Sequence, residues 1–263
     1  MIKSYGKLVF GFNIGAVLSI FIMFYIISYS VFAEDFKPLP NKTVDWKFEG
    51  IFGSFDRESI QRGYKVYKEV CAACHSMNRV AFRNLKDIGF SEDEVKQLAS
   101  SYQVKDGPND LGEMFERPGI PSDYFIPPFD FKEAAAASNN GSVPPDLSLI
   151  IKARKDGANY VYSLLTGYMS NEHDGHDLYP NPYFSTGKLS MAPPLYDGII
   201  QYEDEKEATV ENMSRDVVNF LHWAAEPELE DRHRLGLKVI SFLAILTLCF
   251  IVTNRKVWKG LYK

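Results

Sequence analysis

Cys71-Ala72-Ala73-Cys74-His75 decides how this 263-residue chain is read. Two thiols three positions apart, followed at once by an imidazole, form the pentapeptide through which a haem is attached covalently. On a helical turn at 100° per residue, positions i, i+3 and i+4 share a face. Both sulfurs then reach the haem vinyl groups while His75 reaches the iron. A structural zinc site would need a second Cys or His pair at matching spacing, and a thioredoxin-like pair would sit near a βαβ pattern. The third cysteine, Cys249, lies far off in an apolar run, and no such pattern surrounds the motif. The motif predicts an electron carrier holding one covalent haem c, with Cys71 and Cys74 as attachment points and His75 as a metal ligand.

Outward from the motif, both ends of the chain have the composition of membrane-directed segments. Residues 1–33 begin with Lys3 and Lys7, run apolar from Leu8 to Phe32, and close on Val31-Phe32-Ala33 before Glu34. This is the layout of a secretory signal peptide, and its length also suits an uncleaved N-terminal anchor. Leu235 to Thr253 is 19 residues with Lys238 as its only charge. At 1.5 Å per residue it measures about 28 Å, close to the hydrocarbon thickness of a bilayer. It is expected to be a single transmembrane helix, with Lys238 snorkelling to the boundary. Residues 254–263 carry Arg255, Lys256, Lys259 and Lys263 and no acid, as a cytoplasmic tail would under the positive-inside rule. The exported domain is then 34–234.

The net charge of −5 conceals an uneven division. Two lysines in 1–33 and four cations after Thr253 leave residues 34–253 at −11. So anionic a domain argues against nucleic acid and favours a basic partner. Glu92-Asp93-Glu94 and Glu203-Asp204-Glu205 are two runs that would steer one, although such runs also serve simply as solvated faces.

The fold class expected is mainly α, a cytochrome-like haem domain with long loop insertions. Ser59 to Val70 reads as a helix entering the motif, with Ile60, Tyr64, Tyr67 and Cys71 on one stripe, Asp56 or Ser59 as cap, and Gly63 allowing another helix to approach. Val210 to Ala225 reads as a second, capped by Thr209, with Met213, Val217, Leu221 and Ala224 on its stripe. Leu147, Ile150, Ile151 and Arg154 suggest a third stripe after Pro144-Pro145, and Val161, Leu164, Leu165 and Tyr168 a fourth after Asp156-Gly157. Residues 117–129 and 171–197 are proline-, glycine- and asparagine-rich loops, long enough to be functional.

A haem iron bound by His75 needs a second axial ligand or an open position. Met77 is too near His75 to reach the opposite face, and Met213 sits on a helical stripe. Met114, Met169, Met191, His173 and His176 remain. Ser190-Met191-Ala192-Pro193-Pro194 places Met191 in a proline-stiffened segment that presents a thioether with little slack. A gap-filling core methionine would be the alternative role.

The chain resembles the cytochrome c1 family, the membrane-anchored haem subunit of ubiquinol:cytochrome c oxidoreductase, from about Trp46 to the C-terminus. The resemblance rests on 50–56 (Gly-Ile-Phe-Gly-Ser-Phe-Asp), Gln61-Arg62-Gly63, Val66-Tyr67, Cys71 to Ser76, Pro144-Pro145-Asp146-Leu147-Ser148, Tyr160 to Tyr168, Met191-Ala192-Pro193-Pro194 and the terminal helix. It implies that Met191 is the sixth iron ligand, that Arg154 meets a haem propionate, and that Tyr160, Asn139, Pro145 and Phe82 line the pocket. It also implies the partners: a Rieske iron-sulfur protein as donor, cytochrome c as acceptor, and cytochrome b beside the helix in the lipid bilayer. The early export signal resembles that of a bacterial precursor, which favours a haem domain in the periplasm at the bacterial inner membrane over the alternative of a mitochondrial inner membrane. The carrier itself makes and breaks no substrate bond; only the assembled complex is an enzyme. Two other functions remain open from sequence: a tethered haem sensor or peroxidase, and an anchored cytochrome donating directly to an oxidase.

Overall fold

Two helices that cross at a glycine organise the domain. Helix α1, Arg57–Glu69, starts where the Asp56 carboxylate accepts from the Ser59 amide at 3.3 Å, satisfying one of the unpaired amides of the first turn. The computed structural model describes residues 36–169 and 178–259. The expected signal at 1–33, the candidate ligands His173 and His176, and the last tail residues lie outside those described. Following α1 come α2, Glu92–Ser100; α3, Lys132–Ser138; α4, Gly157–Leu165; α5, Val210–Ala225; and α6, Leu229–Trp258. Thr209 caps α5 through the Asn212 amide at 3.2 Å. The helices expected around 59–70, 161–165 and 210–225 are thus all present, and Tyr168 falls just beyond the end of α4.

Helices α1 and α5 pack directly on one another. A β-carbon on Gly63 would lie 2.0 Å from the Asp216 carbonyl oxygen, so only glycine permits this backbone approach. Around the crossing, Ile60, Val66, Met213, Val218 and Phe220 are fully buried, and Tyr64 and Tyr67 each meet the Phe220 ring at about 5.5 Å. The Asp216 side chain is completely buried beside the crossing. Ser59 Oγ at 2.6 Å, Arg62 Nε at 2.9 Å and Lys206 Nζ at 3.0 Å all donate to it. A carboxylate removed from water is tolerated only with such a set of partners.

Two features depart from the sequence expectation. The third helical stripe does not form a helix. Residues 147–156 are successive turns, with Ile150 N donating to Leu147 O and both Lys152 N and Ala153 N to Leu149 O. Leu147, Ile150 and Ile151 are still buried. Asp146 draws off the Ser148 amide at 2.9 Å, Asp156 takes a left-handed φ of 57°, and Gly157 packs where a β-carbon would strike the Ile151 carbonyl. Backbone groups satisfied by side chains and turns have no need of a helical ladder. Two small antiparallel ribbons also form, Gln103–Asp106 with Phe115–Pro118 and Tyr179–Pro180 with Lys188–Leu189.

The last helix is long enough and apolar enough to cross a membrane, and its apolar window has no share in the core. It begins six residues before the expected span, at Leu229, and that extra turn is tied to the domain. Glu230 accepts from the Phe55 amide at 2.7 Å and pairs with Arg57 at 2.6 Å. His233 Nδ1 lies 3.1 Å from the Gly53 carbonyl.

Candidate haem site

Helix α1 stops one residue short of the motif, and the chain tightens into a 3-10 turn over Cys71–Ala73. Cys74 N and His75 N both donate to the Cys71 carbonyl, at 3.1 and 2.9 Å. The second of these is the i to i+4 bond of an α-turn, so Cys71, Cys74 and His75 keep the shared face that a helix would give them. Cys74 and His75 retain solvent access while Met77, two residues on, is fully buried in the core. Burial pushes the Cys71 thiol up to about 12, with Cys74 adding to the effect.

His75 is oriented before any ligand arrives. Its Nδ1 lies 2.8 Å from the Pro145 carbonyl, which acts only as an acceptor, so the proton sits on Nδ1 and Nε2 carries the free lone pair. Burial lowers the pKa of His75 against the raising influence of Pro145 and Asp146, which favours the neutral, ligating form. Pro145 is in turn held by its neighbours. The Asp146 carboxylate accepts from Ser76 Oγ, the Asn78 amide and the Ser148 amide, each at 2.9 Å, and Leu147 N donates to the Ser76 carbonyl. Burial works against ionisation of Asp146, but these bonds hold its carboxyl below the usual range.

Met191 is half-buried and fixed through its backbone and its neighbour. Tyr168 Oη donates to the Met191 carbonyl at 3.0 Å, and Ser142 Oγ bonds Ser190 Oγ at 2.9 Å. Ser142 and Pro145 therefore belong to one short segment whose first residue is tied beside Met191 and whose last is tied to His75. Four residues span at most about 13 Å fully extended, so one short strip of chain bears on the segments that carry both candidate ligands.

The other expected residues are placed less directly. Phe82 is almost wholly buried, tilted against Tyr102 and Phe125 at ring distances of 5.3 and 5.1 Å. Tyr160 is half-buried on α4. Asn139 closes α3 and donates to the Ala135 carbonyl at 2.7 Å. Arg154 is exposed, its guanidinium donating to the Ala153 carbonyl at 3.1 Å. Met114 and Met169 are largely exposed, 66% and 61%, unlike Met191. Sequence reasoning passed over Ser142, Ser190 and the positioning part of Asp146. Asp146-Leu147-Ser148 after two prolines is an Asx-turn pattern and was the available signal.

The donor set fits a haem. Two cysteines and a tautomer-fixed imidazole share one face, and a thioether is anchored within reach of the same strip. Among the described residues no cluster of three or more His, Cys, Asp or Glu is arranged to hold a metal ion directly. With a mainly helical domain and a terminal apolar helix, this arrangement defines a haem-carrying electron-transfer protein with a potential membrane anchor. Residues 46–261 match the model of the cytochrome C1 family. The chain is 47% identical over 234 residues to cytochrome c1 of Rhodospirillum rubrum, covering 82% of this chain and 86% of that protein. It is 46% identical over 219 residues to a mitochondrial cytochrome c1 heme protein of Schizosaccharomyces pombe, covering 81% and 71%. Against a protein named cytochrome b/c1 from Bradyrhizobium diazoefficiens it is 45% identical over 247 residues, covering 84% of this chain and 36% of that one. The chain belongs to the cytochrome c1 family.

Proposed function

We propose that the chain is the subunit of a bc1 complex that carries one electron from a Rieske iron-sulfur protein to a cytochrome c, docked beside cytochrome b. Family membership supports the haem-carrying, electron-transfer part of this reading, and a relative named cytochrome b/c1 supports the association. One covalently bound haem c, when present, supplies a one-electron ferric/ferrous couple. Cys71 and Cys74 tether it by thioethers, which keeps the couple in the protein through repeated turnover. His75 Nε2 and the Met191 sulfur would hold its iron. A thioether stabilises the ferrous state relative to a second imidazole, so the pair sets a potential high enough to accept from a Rieske centre. Tyr168, Ser142 and Pro145 would position these two ligands, Arg154 would pair with a propionate, and Phe82, Tyr160 and Asn139 would line the pocket.

The observation that carries this reading is the strip from Ser142 to Pro145, tied at one end beside Met191 and at the other to His75. The terminal helix holds the domain at the outer face of the bacterial inner membrane, with the leader removed or retained as a second anchor. A redox-titrated visible spectrum of the purified membrane protein tests it. The wild type is expected to show a low-spin haem of high potential that resists acid acetone and takes up no carbon monoxide. Met191→Leu is expected to lower the potential, abolish the weak sulfur-to-iron band and admit carbon monoxide. An unchanged band moves the ligand to Met114 or Met169, and carbon monoxide binding by the wild type favours a sensor or peroxidase.

A further inference from the structure

The turn Gly50-Ile51-Phe52-Gly53 takes no part in the haem site, yet it holds two of the most exposed apolar side chains of the domain. Ile51 is 78% exposed and Phe52 81%. The turn is built rather than loose. Gly53 N donates to the Gly50 carbonyl at 3.2 Å, Ser54 N to the Lys47 carbonyl at 2.9 Å, and Glu49 N to the Trp46 carbonyl at 3.1 Å. Gly50 takes a φ of +81°, and a β-carbon on Gly53 would lie 2.1 Å from the Phe48 carbonyl oxygen. Two glycines therefore close a hydrogen-bonded turn that has only apolar side chains at its tip.

The contacts to α6 show where that tip lies. Going backwards along the chain, Arg57 and the Phe55 amide meet Glu230, and the Gly53 carbonyl meets His233. The strand thus descends alongside the helix toward its apolar part, advancing about 4.5 Å between Glu230 and His233. The apolar run, with Lys238 as its only charge, begins at Leu235, two residues further. Phe52 and Ile51, at the tip of the turn, are the next residues beyond Gly53. Apolar side chains at the depth of that apolar run gain by leaving water, and a turn closed by the Glu49, Gly53 and Ser54 amides already has part of its backbone bonded.

We propose that Ile51 and Phe52 insert into the interfacial layer of the bilayer, as a second, shallow anchor beside the terminal helix. This rests on the reading that α6 crosses the membrane. Continuity with the apolar surface of α6 selects lipid as the occupant, because a partner subunit would have to displace lipid at the same depth.

Nitroxide labels test this in the haem-loaded full chain, within its complex in phosphatidylcholine vesicles and with Cys249 replaced by Ala. Ile51→Cys and Phe52→Cys are compared with Glu58→Cys, exposed on α1, and Ile245→Cys, mid-helix on α6. At 51 and 52 the label is expected to be more accessible to oxygen than to a water-soluble nickel chelate, with that ratio reversed at 58. Nickel in excess of oxygen at 51 and 52 overturns the proposal in favour of a solvated turn. Low access to both reagents overturns it in favour of burial under another subunit. Oxygen in excess at 245 with either of those results removes the turn proposal alone, whereas nickel in excess at 245 removes the membrane-spanning reading itself.

Discussion

His222 carries an imidazole into the domain with neither ring nitrogen hydrogen-bonded. Its ring stacks on Phe48 at 3.6 Å with 10° between the planes, and Phe55 meets it edge-on at 6.1 Å. Burial pushes its pKa down to about 4, against the raising influence of Glu226. A base whose folded pKa lies below its ordinary value of about 6.5 binds fewer protons folded than unfolded between the two values. Its contribution is therefore complete above about pH 6.5 and is lost as the pH falls toward 4. Thermal unfolding of the haem-loaded chain from pH 7 to 4.5 should show a loss from this source of about 1–2 kcal/mol, reduced because the ring is only half-buried. His222→Leu should flatten that part of the slope. An unchanged slope would assign the acid sensitivity to the carboxylates.

Between helices, the decisive contact is the missing side chain at Gly63. Gly63→Ala places a methyl group against the Asp216 backbone and forces α1 from α5, so it should destabilise the domain by about 1–3 kcal/mol or more. Helix α1 also leads into the motif, so haem incorporation should fall along with the melting temperature. A variant as stable as wild type would mean that the crossing relaxes at no cost. This crossing was legible in the sequence, because α1 and α5 carry wide apolar stripes with caps at Asp56 and Thr209. Helix α2 was not read as a helix although Ser91 and Glu94 form a capping box, the Glu94 amide and carboxylate both bonding Ser91. There the acid run was read as surface charge alone. The stripe at 147–154 misled for the opposite reason: its apolar residues are buried at helical spacing, but Asp146 and Gly157 satisfy the chain in turns. The four-residue strands lie at the surface, where alternation is too short to register. At the site, Cys71, Cys74 and His75 were named from motif chemistry, Met191 from its proline-stiffened segment and the family resemblance, and the remaining expected residues from the resemblance alone. Ser142 and Ser190 were not, because an unremarkable serine acquires its role only from what folding sets opposite it.

Over the whole molecule, the −11 carried by residues 34–253 should draw in a basic cytochrome c. The second-order rate of electron transfer is expected to fall as ionic strength rises, since screening shortens the field to about 10 Å at 0.1 M salt. A flat or rising dependence would mean that docking is apolar or belongs to another subunit. The two acid runs are unequal probes of this field. Asp204 pairs with Arg62 at 2.7 Å and Glu203 approaches Lys65 at 3.4 Å, so reversing them also disturbs α1. Asp93, 97% exposed in its side chain, pairs at 3.7 Å with Lys96 of its own helix and so is a cleaner position for charge reversal. The junction between domain and terminal helix also bears on how such encounters are geometrically possible. Only Glu226, Pro227 and Glu228 separate α5 from α6; Glu226 N bonds the end of α5, and Leu229 N bonds Glu226. With the Glu230 and His233 contacts added, the domain stands on its helix as a mast in its step, without a swivel. Where α6 crosses a bilayer, the contacts at this junction set how the domain is carried above it, and redox partners would meet it in that posture.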